Sequence, residues 1–555
     1  MNIYNNIFYN KKYFISILLI FIIIYNIIFF YEIFFTPEIS IFFLDKFHIF
    51  PNDISTIIRC WYIISIIICW CFFLDSLYKK LNITPKKENL TQESVNKNAL
   101  IIGKSLETNE AIVIPEKGLY QNVLITGTIG TGKTSSAMYP FTKQLIDKNM
   151  GMLILDVKGN FHKKVEEYAE RNKRNIIKIE LGGSHTYNPL DKPNLKPSIL
   201  ANRLKTILTL FSNQNTGDTY WLDKVELYLT ECIKLCRLYN QNYVTFIELH
   251  KLITDSKFLD EKIAIVKNLF LSNSLSYSQV YDFKTCLEFF SSEFKSLDQR
   301  VLSIIQSEIS RITQLFVSDY EVAKTFCPSK DEITFNGFEN LQDNIVVLNM
   351  NIAEYRNLAK IIATYLKLDF QSEVLMRLAK KNTIKPVAFI CDEYHEYATQ
   401  NDADFFSESR EAKCINIVST QTYTSLLSSV KDQSAAKVII QSLVNKIWFR
   451  TDDIYTIEEA QKQLGKEDKT KYLRTISENA KETKFNYFLN TFKSNNSSLS
   501  ESISTQIQHD FIYDINTFSR ELHTFQAICF ISTGYEILPP QIIQMLPEHS
   551  QKKFI

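Results

Sequence analysis

Residues 127–134 have a pattern suited to binding phosphate groups. The segment fits the phosphate-loop pattern of a glycine, four residues and then Gly-Lys-Ser/Thr. The glycines let the backbone turn tightly and bring successive N–H groups close to phosphate oxygens. Lys133 would reach the β- and γ-phosphates, and the Thr134 hydroxyl would complete a Mg²⁺ shell. The predicted nucleotide-binding residues are Gly127, Thr128, Ile129, Gly130, Thr131, Gly132, Lys133 and Thr134.

Two adjacent carboxylates, Asp392 and Glu393, follow an apolar run at residues 386–391. In a nucleotide hydrolase, Asp392 would hold Mg²⁺ through water, and Glu393 would orient and polarise the attacking water. A pair of carboxylates can also be a solvated strand end. Its position downstream of a phosphate loop favours the catalytic interpretation.

Two further polar residues are candidates for the same site. Gln421 ends the apolar segment 414–421 and would lie beside the γ-phosphate, where it reports the presence of that group. Arg410 lies in a polar segment, 407–413, that is predicted to be helical. One subunit could present Arg410 to its neighbour's nucleotide as an arginine finger, and an exposed helix charge is the alternative.

The elements around these residues indicate an α/β fold. A short strand at 122–126 precedes the phosphate loop, and a helix at 135–148 follows it. A long helix is predicted at 352–379. Further strands are predicted at 152–156, 176–181, 344–350, 386–393, 414–421, 445–450 and 525–531. Strands that alternate with helices at this spacing are typical of a parallel sheet wound with helices.

Residues 195–332 differ from the rest of the chain. Apolar residues recur there at helical spacing and strand signals are nearly missing, which predicts an all-helical insertion. Its sixteen Lys and Arg residues nearly balance seventeen Asp and Glu residues. A module that binds duplex nucleic acid would be strongly basic.

The N-terminal region has two apolar segments that could cross a membrane, at about 13–35 and 54–74. Lys11 and Lys12 flank the first segment, and four lysines between 79 and 87 follow the second. The positive-inside rule therefore places both termini in the cytoplasm. We expect a two-pass hairpin in the bacterial inner membrane that anchors a large cytosolic body.

Composition adds further limits. The formal net charge of +1 gives no global field that favours nucleic acid. The ten cysteines have no metal-ligand spacing, which favours buried, reduced thiols.

A basic cluster at 466–474 could contact DNA, although a solvated helix face is the more ordinary interpretation. Residues 488–508 are rich in Asn, Ser and Thr and are predicted to be a mobile surface segment.

In their order and spacing these features resemble the type IV coupling proteins, the membrane-anchored ATPases of conjugation and type IV secretion. The resemblance runs through nearly the whole chain. The features that match are the two-span hairpin, residues 127–134, 156–159 and 187–190, the insertion from about 220, Asp392-Glu393, Arg410, 419–421 and the strand and helix around 445–465.

The resemblance implies a RecA-like P-loop NTPase domain with an inserted all-α domain, assembled as a homo-hexamer around a channel. It implies ATP and Mg²⁺ as cofactors. It also implies that the protein recruits protein effectors, single-stranded DNA with a relaxase, or both to a type IV secretion channel and couples ATP hydrolysis to their transfer. The cargo stays open at this stage.

The resemblance also assigns roles to single residues. Lys133 and Thr134 would bind the nucleotide and the metal, and Asp392 would support the metal. The implied catalytic set is Lys133, Glu393 as base, Gln421 as sensor and Arg410 as finger. Where the family commonly has an acidic residue after the Lys-Gly step, this chain has Asn160. Asp156 and Lys158 are therefore expected to be neighbours of the site without a catalytic step.

The predicted domain limits follow from these observations. The transmembrane hairpin covers 1–81 and a linker covers 82–98. The RecA-like domain covers 99–194 and 336–555, with the all-α domain at 195–335 between its two parts.

Two other functions are compatible with parts of the pattern. A DNA translocase of the chromosome-segregation type also combines membrane spans with a RecA-like hexamer, but it usually has more spans and a terminal winged-helix module. A membrane scaffold could bind nucleotide as a regulatory ligand without turnover, although Glu393, Gln421 and Arg410 argue against it.

Overall fold

The computed structural model describes residues 98–211, 218–294, 296–379, 385–430, 432–478, 483–486, 491–494 and 499–547. The chain divides into two compact units, Met1–Thr91 and Gln92–Ile555, and all described residues belong to the second unit. The two predicted membrane segments lie outside the described residues. Within the described part of the chain, no helix is long and apolar enough to cross a membrane.

Fifteen strands are present in the described residues. In chain order they are β1 (Leu100–Ser105), β2 (Ala111–Ile114), β3 (Val123–Thr126), β4 (Gly151–Asp156), β5 (Ile176–Ile179), β6 (Ile345–Asn349), β7 (Val387–Cys391), β8 (Cys414–Thr420), β9 (Asn445–Phe449), β10 (Lys466–Glu478), β11 (Thr483–Asn486), β12 (Thr491–Ser494), β13 (Leu499–Phe511), β14 (Gln526–Phe530) and β15 (Gln541–Met545).

Eleven of these strands form one sheet in the order β2-β1-β15-β14-β9-β3-β8-β7-β4-β6-β5. The seven strands from β9 to β5 are mutually parallel. The other four extend the sheet in antiparallel pairing beyond β9. The predicted α/β fold with a large parallel sheet is confirmed, and the antiparallel edge was not predicted.

Fifteen α-helices accompany the sheet in the part of the chain that the structure describes. They are α1 (Glu116–Leu119), α2 (Tyr139–Asp147), α3 (Phe161–Arg171), α4 (Pro197–Phe211), α5 (Asp218–Tyr239), α6 (Phe246–Thr254), α7 (Ser256–Leu271), α8 (Tyr277–Glu288), α9 (Gln299–Val317), α10 (Tyr320–Phe326), α11 (Ile352–Met376), α12 (Asp402–Glu408), α13 (Tyr423–Ser429), α14 (Gln433–Ser442) and α15 (Ile454–Leu464).

Both faces of the parallel sheet are buried. Along β4, Leu153 and Leu155 belong to the hydrophobic cluster on one face, and Met152 and Ile154 belong to the cluster on the other. Helices α2 and α3 cover the second face, while α11 and the helices from α4 to α10 cover the first. Burial on both faces is the reason that these strands are continuous apolar runs.

The described residues between 195 and 326 are helical, in agreement with their apolar spacing. Five successive helices, α6 to α10, each begin after a residue whose side-chain oxygen accepts a hydrogen bond from a first-turn N–H group. These residues are Thr245, Asp255, Ser276, Asp298 and Asp319. Such N-caps define where each helix begins. The exact domain limits stay a prediction.

Helix α11 joins the helical region to the sheet through a buried carboxylate. Asp369 accepts a hydrogen bond of 3.0 Å from Tyr187 Oη, and it pairs with Lys192 at 2.8 Å and Arg203 at 3.2 Å. Tyr187 belongs to the Tyr-Asn-Pro-Leu segment singled out in the sequence. That segment therefore anchors the beginning of the helical region to α11.

A two-stranded antiparallel ribbon lies between α15 and β14. It pairs β10 with β13 over thirteen residues each, from Lys466 opposite Phe511 to Glu478 opposite Leu499. The basic cluster at 466–474 therefore lies on a strand, and its interpretation as a helix face is wrong. Residues 499–508 of the predicted mobile segment are part of β13.

Candidate nucleotide-binding site

All the residues predicted to do chemistry except Arg410 meet at the carboxyl ends of four neighbouring parallel strands, together with Lys158. The phosphate loop follows β3, Gln421 follows β8, Asp392 and Glu393 follow β7, and Lys158 follows β4. Ligands of open α/β sheets bind outside the carboxyl ends of the strands. The strand order therefore brings together residues as far apart in the sequence as Gly127 and Gln421.

The phosphate loop has the backbone of a phosphate-binding turn. Gly130 has φ +81° and Gly132 has φ +98°, values that residues with a Cβ rarely adopt. The N–H of Thr128 donates to the carbonyl of Arg450 at 2.9 Å, and Thr131 Oγ1 donates to the carbonyl of Thr128 at 2.8 Å. These bonds fix the loop between β3 and β9.

Lys133 lies inside the loop and is buried. Its ammonium donates to the carbonyls of Gly127 and Thr128. Burial lowers the pKa of Lys133 from its ordinary value, and the nearby carboxylates of Glu393 and Asp392 oppose that shift. A buried ammonium beside backbone N–H groups is suited to a polyphosphate, whose charge would replace the carbonyl contacts.

Asp392 is buried and joined to the loop. Its Oδ2 accepts a hydrogen bond of 2.9 Å from Thr134 Oγ1, and its Oδ1 accepts one from Ser419 Oγ on β8. The two proposed magnesium-binding groups therefore touch. Among the described residues, no cluster of three acidic, His or Cys side chains could hold a metal ion. This pair fits Mg²⁺, which binds through few protein ligands and completes its shell with water and phosphate oxygens.

Glu393 is buried in a left-handed backbone conformation, with φ +51°. Its Oε1 accepts a hydrogen bond of 2.8 Å from Lys158 Nζ. Its Oε2 is buried and has no hydrogen-bond partner among the described residues. A strained residue with an unpaired carboxylate oxygen is expected at a reacting centre.

Lys158 and His395 surround the Glu393 carboxylate. Burial lowers the pKa of Lys158, but its hydrogen bond to Glu393 and the nearby Asp392 outweigh that effect, so the pKa is raised. His395 Nδ1 lies 3.7 Å from Glu393 Oε2, and burial lowers the pKa of this imidazole. A neutral imidazole and a charged ammonium therefore lie beside the predicted base.

The remaining predicted residues occupy different places. The Gln421 carbonyl accepts a hydrogen bond of 3.2 Å from the Gly127 N–H, so Gln421 lies at the base of the loop. Asp156 accepts hydrogen bonds from the N–H groups of Lys158, Gly159 and His162, and so fixes the turn that positions Lys158. Asp156 is thus a structural neighbour, as expected.

Arg410 is not at this edge of the sheet. The helix α12 ends at Glu408, and Arg410 lies exposed in the turn before β8. The predicted helical position is therefore wrong. Because β8 runs seven residues from this turn towards Gln421, roughly 20 Å separate Arg410 from the loop of its own chain.

Sequence reasoning missed three side chains of the site. Ser419 binds Asp392, His395 lies near Glu393, and the Phe525 ring packs on Gly132. Ser419 had a usable signal, because it lies in the polar segment Ser419-Thr420-Gln421 at the end of a predicted strand. Phe525 had none, since its contact depends on the unpredicted antiparallel edge.

Comparisons with known proteins agree with this geometry. A family model described as type IV secretory system conjugative DNA transfer matches residues 73–320. The unbound bacterial conjugative coupling protein TrwB, without its first 70 residues, aligns with a TM-score of 0.52 and 13% identity over 80% of this chain and 88% of that chain. The chain is therefore similar to the type IV coupling proteins, by a family model that covers a little under half of its length and by its fold.

Two further structures of TrwB match this chain as well. The complex with ADP and Mg²⁺ aligns with a TM-score of 0.51 at 13% identity, and covers 78% of this chain and 87% of that chain. The complex with a non-hydrolysable GTP analogue gives the same values. At this identity the structures support the fold. No curated protein is similar enough in sequence to match the chain.

Proposed function

We propose that this chain is a type IV coupling protein, a Mg²⁺-dependent ATPase that recruits macromolecular cargo to a type IV secretion or conjugation channel and couples hydrolysis to transfer. One observation supports the catalytic part of this proposal most directly. The phosphate-loop hydroxyl of Thr134 is bonded to Asp392, and the next residue, Glu393, has a buried and unpaired carboxylate oxygen. Phosphate binding, metal binding and water activation thus share one edge of the sheet.

The residues have separate tasks in this mechanism. The loop N–H groups and Lys133 bind the β- and γ-phosphates, and Thr134 with Asp392 holds Mg²⁺. Held by Thr134 and Asp392, Mg²⁺ would supply positive charge close to the phosphate oxygens. Glu393 Oε2 orients the attacking water and accepts its proton, while Lys158 holds the other carboxylate oxygen in place.

Assembly into a ring would complete the site. Arg410 lies at the opposite edge of the sheet from its own loop, so it can act as an arginine finger only on the nucleotide of a neighbouring subunit. An arginine supplied from another subunit stabilises charge in the transition state. We therefore propose that the working form is a homo-hexamer.

The membrane location is also a proposal. The apolar segments at about 13–35 and 54–74 and the lysines that flank them support a two-pass inner-membrane anchor with both termini in the cytoplasm. That anchor would hold the ATPase at the secretion channel. The binding partners of the protein would then be components of the secretion channel and the cargo.

Protein effectors and relaxase-bound single-stranded DNA are both possible cargo within this function. The charge balance of residues 195–332 favours protein recognition through the helical region. DNA cargo would require a basic path with aromatic side chains on which bases stack. On the ribbon of β10 and β13, Lys471 pairs with Asp510 at 3.0 Å and Lys469 donates to the Ile512 carbonyl at 2.7 Å, so these two lysines do not form a free basic path for DNA.

The test measures transfer in cells that lack the native protein. Plasmid transfer and effector export are scored separately, after complementation with the native chain or with Lys133→Ala. We expect the native chain to restore at least one kind of transfer and Lys133→Ala to restore neither. Restoration by Lys133→Ala at equal protein level would contradict a nucleotide-driven function.

A further inference from the structure

Phe525 has a backbone conformation that is unusual for an aromatic residue. It is the third residue of the turn 523–526, in which the Gln526 N–H donates to the His523 carbonyl at 3.0 Å. Its φ of +67° lies in the left-handed region. Turns that need a positive φ at this position normally have glycine there. A bulky residue at this position is strained, which implies that the side chain has a task.

The ring of Phe525 lies against the phosphate loop. A Cβ placed on Gly132 would lie 2.4 Å from Phe525 Cδ1, so the ring directly contacts this glycine. The Phe525 N–H donates to the Thr131 carbonyl at 3.1 Å, and the Phe525 carbonyl accepts from the Met545 N–H at 2.7 Å. The strained conformation is therefore held from both sides, by the loop and by β15.

The sheet order fixes the direction in which a bound nucleotide lies. On one side of β3 are β8 and β7, with Thr134 joined to Asp392, where the γ-phosphate and Mg²⁺ would lie. On the other side are β9 and β14, and Phe525 directly precedes β14. A nucleotide whose terminal phosphate lies towards β7 has its nucleoside end towards Phe525.

We propose that the aromatic ring of Phe525 is the surface on which the base of the bound nucleotide stacks. The inference rests on the proposed nucleotide-binding function and adds a subsite to it. The ring is only partly buried, so a face or edge remains accessible beside the loop. Aromatic stacking binds any base through its π face, so this subsite adds affinity for nucleotides without selecting one base by hydrogen bonds.

The experiment compares a ligand that has a base with one that has none. Calorimetry measures the Kd of the full-length protein in detergent for ATP and for inorganic tripolyphosphate. Phe525→Gly removes the ring and adopts the positive φ without strain, so the turn is kept. Phe525→Trp keeps an aromatic face, and Tyr535→Ala removes an exposed ring from the same hairpin as a control.

We expect Phe525→Gly to weaken ATP binding about 10-fold, in the range known for base–aromatic stacking. Tripolyphosphate binding should change by less than about twofold, and Phe525→Trp and Tyr535→Ala should bind ATP as the native chain does. Equal weakening of both ligands would show that the ring only supports the loop, and would overturn the proposal. Unchanged ATP binding in Phe525→Gly would overturn it as well.

Failure of the proposed function has a different signature. The native chain would then bind neither ATP nor tripolyphosphate, or Lys133→Ala would bind both without loss. In either case the assignments of the phosphate site and of the nucleoside subsite are both contradicted. The two proposals are supported together if Phe525→Gly loses only ATP binding and Lys133→Ala loses the binding of ATP and of tripolyphosphate.

Discussion

Thr134 Oγ1 and Asp392 Oδ2 are 2.9 Å apart, although 258 residues separate them in the sequence. This hydrogen bond joins the end of the phosphate loop to the end of β7. It places a hydroxyl and a carboxylate together where Mg²⁺ would bridge protein and phosphate oxygens. The contact defines the metal-binding corner of the site, and the first prediction follows from it.

Thr134→Ala should weaken the use of Mg²⁺ more than the binding of nucleotide. The variant keeps Lys133 and the loop N–H groups but loses the hydroxyl that completes the metal shell. We expect the Mg²⁺ concentration for half-maximal ATP hydrolysis to rise about 10-fold or more. Thr134→Ser keeps the hydroxyl and should behave as the native chain. Equal Mg²⁺ requirements in all three proteins would contradict the assignment.

The Arg410→Ala variant should lose most of its ATP turnover when it is assayed alone. Part of that turnover should return in mixed assemblies. Its partner in the mixture is Lys133→Ala, which has an intact Arg410 but an inactive loop. At an interface where Lys133→Ala presents Arg410 to the loop of an Arg410→Ala subunit, the site is complete. ATP hydrolysis is measured across mixing ratios, with each variant mixed with buffer as control. A linear sum of the two residual activities would argue against a finger between subunits.

The buried pair of Lys367 and Asp402 predicts a large loss of stability on disruption. Both side chains are fully buried with Nζ 2.5 Å from Oδ2, and Lys367 also donates to the Tyr397 carbonyl and to Thr399 Oγ1. Asp402→Asn leaves the ammonium without its counter-charge. The expected loss in the free energy of unfolding is about 3–5 kcal/mol.

Denaturant unfolding of the purified protein tests this prediction. The double variant Lys367→Met with Asp402→Asn removes the buried charge and should lose less stability than Asp402→Asn alone. Glu459→Gln breaks the exposed pair with Lys462 and should leave the midpoint unchanged. A midpoint for Asp402→Asn equal to that of Glu459→Gln would refute a structural role for the buried pair.

Lys446 should make stability depend on pH. Its side chain is buried on β9, and burial lowers its pKa from 10.5 to about 7. Between these two values the unfolded chain binds more protons than the folded chain, so the free energy of unfolding rises with pH, by at most about 1.4 kcal/mol per unit. Lys446→Met removes this contribution and should have a flatter profile between pH 7 and pH 9. Parallel profiles for the two proteins would contradict the lowered pKa.

The sequence was sufficient to predict the parallel half of the fold and most of the site. The phosphate loop, the apolar strands and the pair Asp392-Glu393 each have a local signal, because strands buried on both faces are continuous apolar runs. Parallel strands also bring their carboxyl ends together. That rule agrees with the positions of Lys158 and Gln421, which were expected near the site from the resemblance to the coupling proteins.

The errors concern features that depend on partners far away in the sequence. The strand β10 has no clear period of two or 3.6, and its pairing with β13, such as Thr470 opposite Ile507, is not visible locally. Arg410 follows a helix that ends at Glu408, five residues before the end of the polar segment 407–413 that was predicted to be helical. Phe525 reaches Gly132 only because β14 joins the sheet beside β9.

The most direct test of the central claim is Mg²⁺-dependent ATP hydrolysis by the full-length protein in lipid nanodiscs. Phosphate release is measured together with ATP binding for the native chain, Lys133→Ala and Glu393→Gln, with Lys163→Ala as an exposed lysine control. We predict turnover by the native chain and Lys163→Ala, and none by Lys133→Ala. Glu393→Gln should bind ATP with native affinity and hydrolyse it at least about 100-fold more slowly, because the base acts in the transition state. Hydrolysis by Glu393→Gln at the native rate would contradict the account.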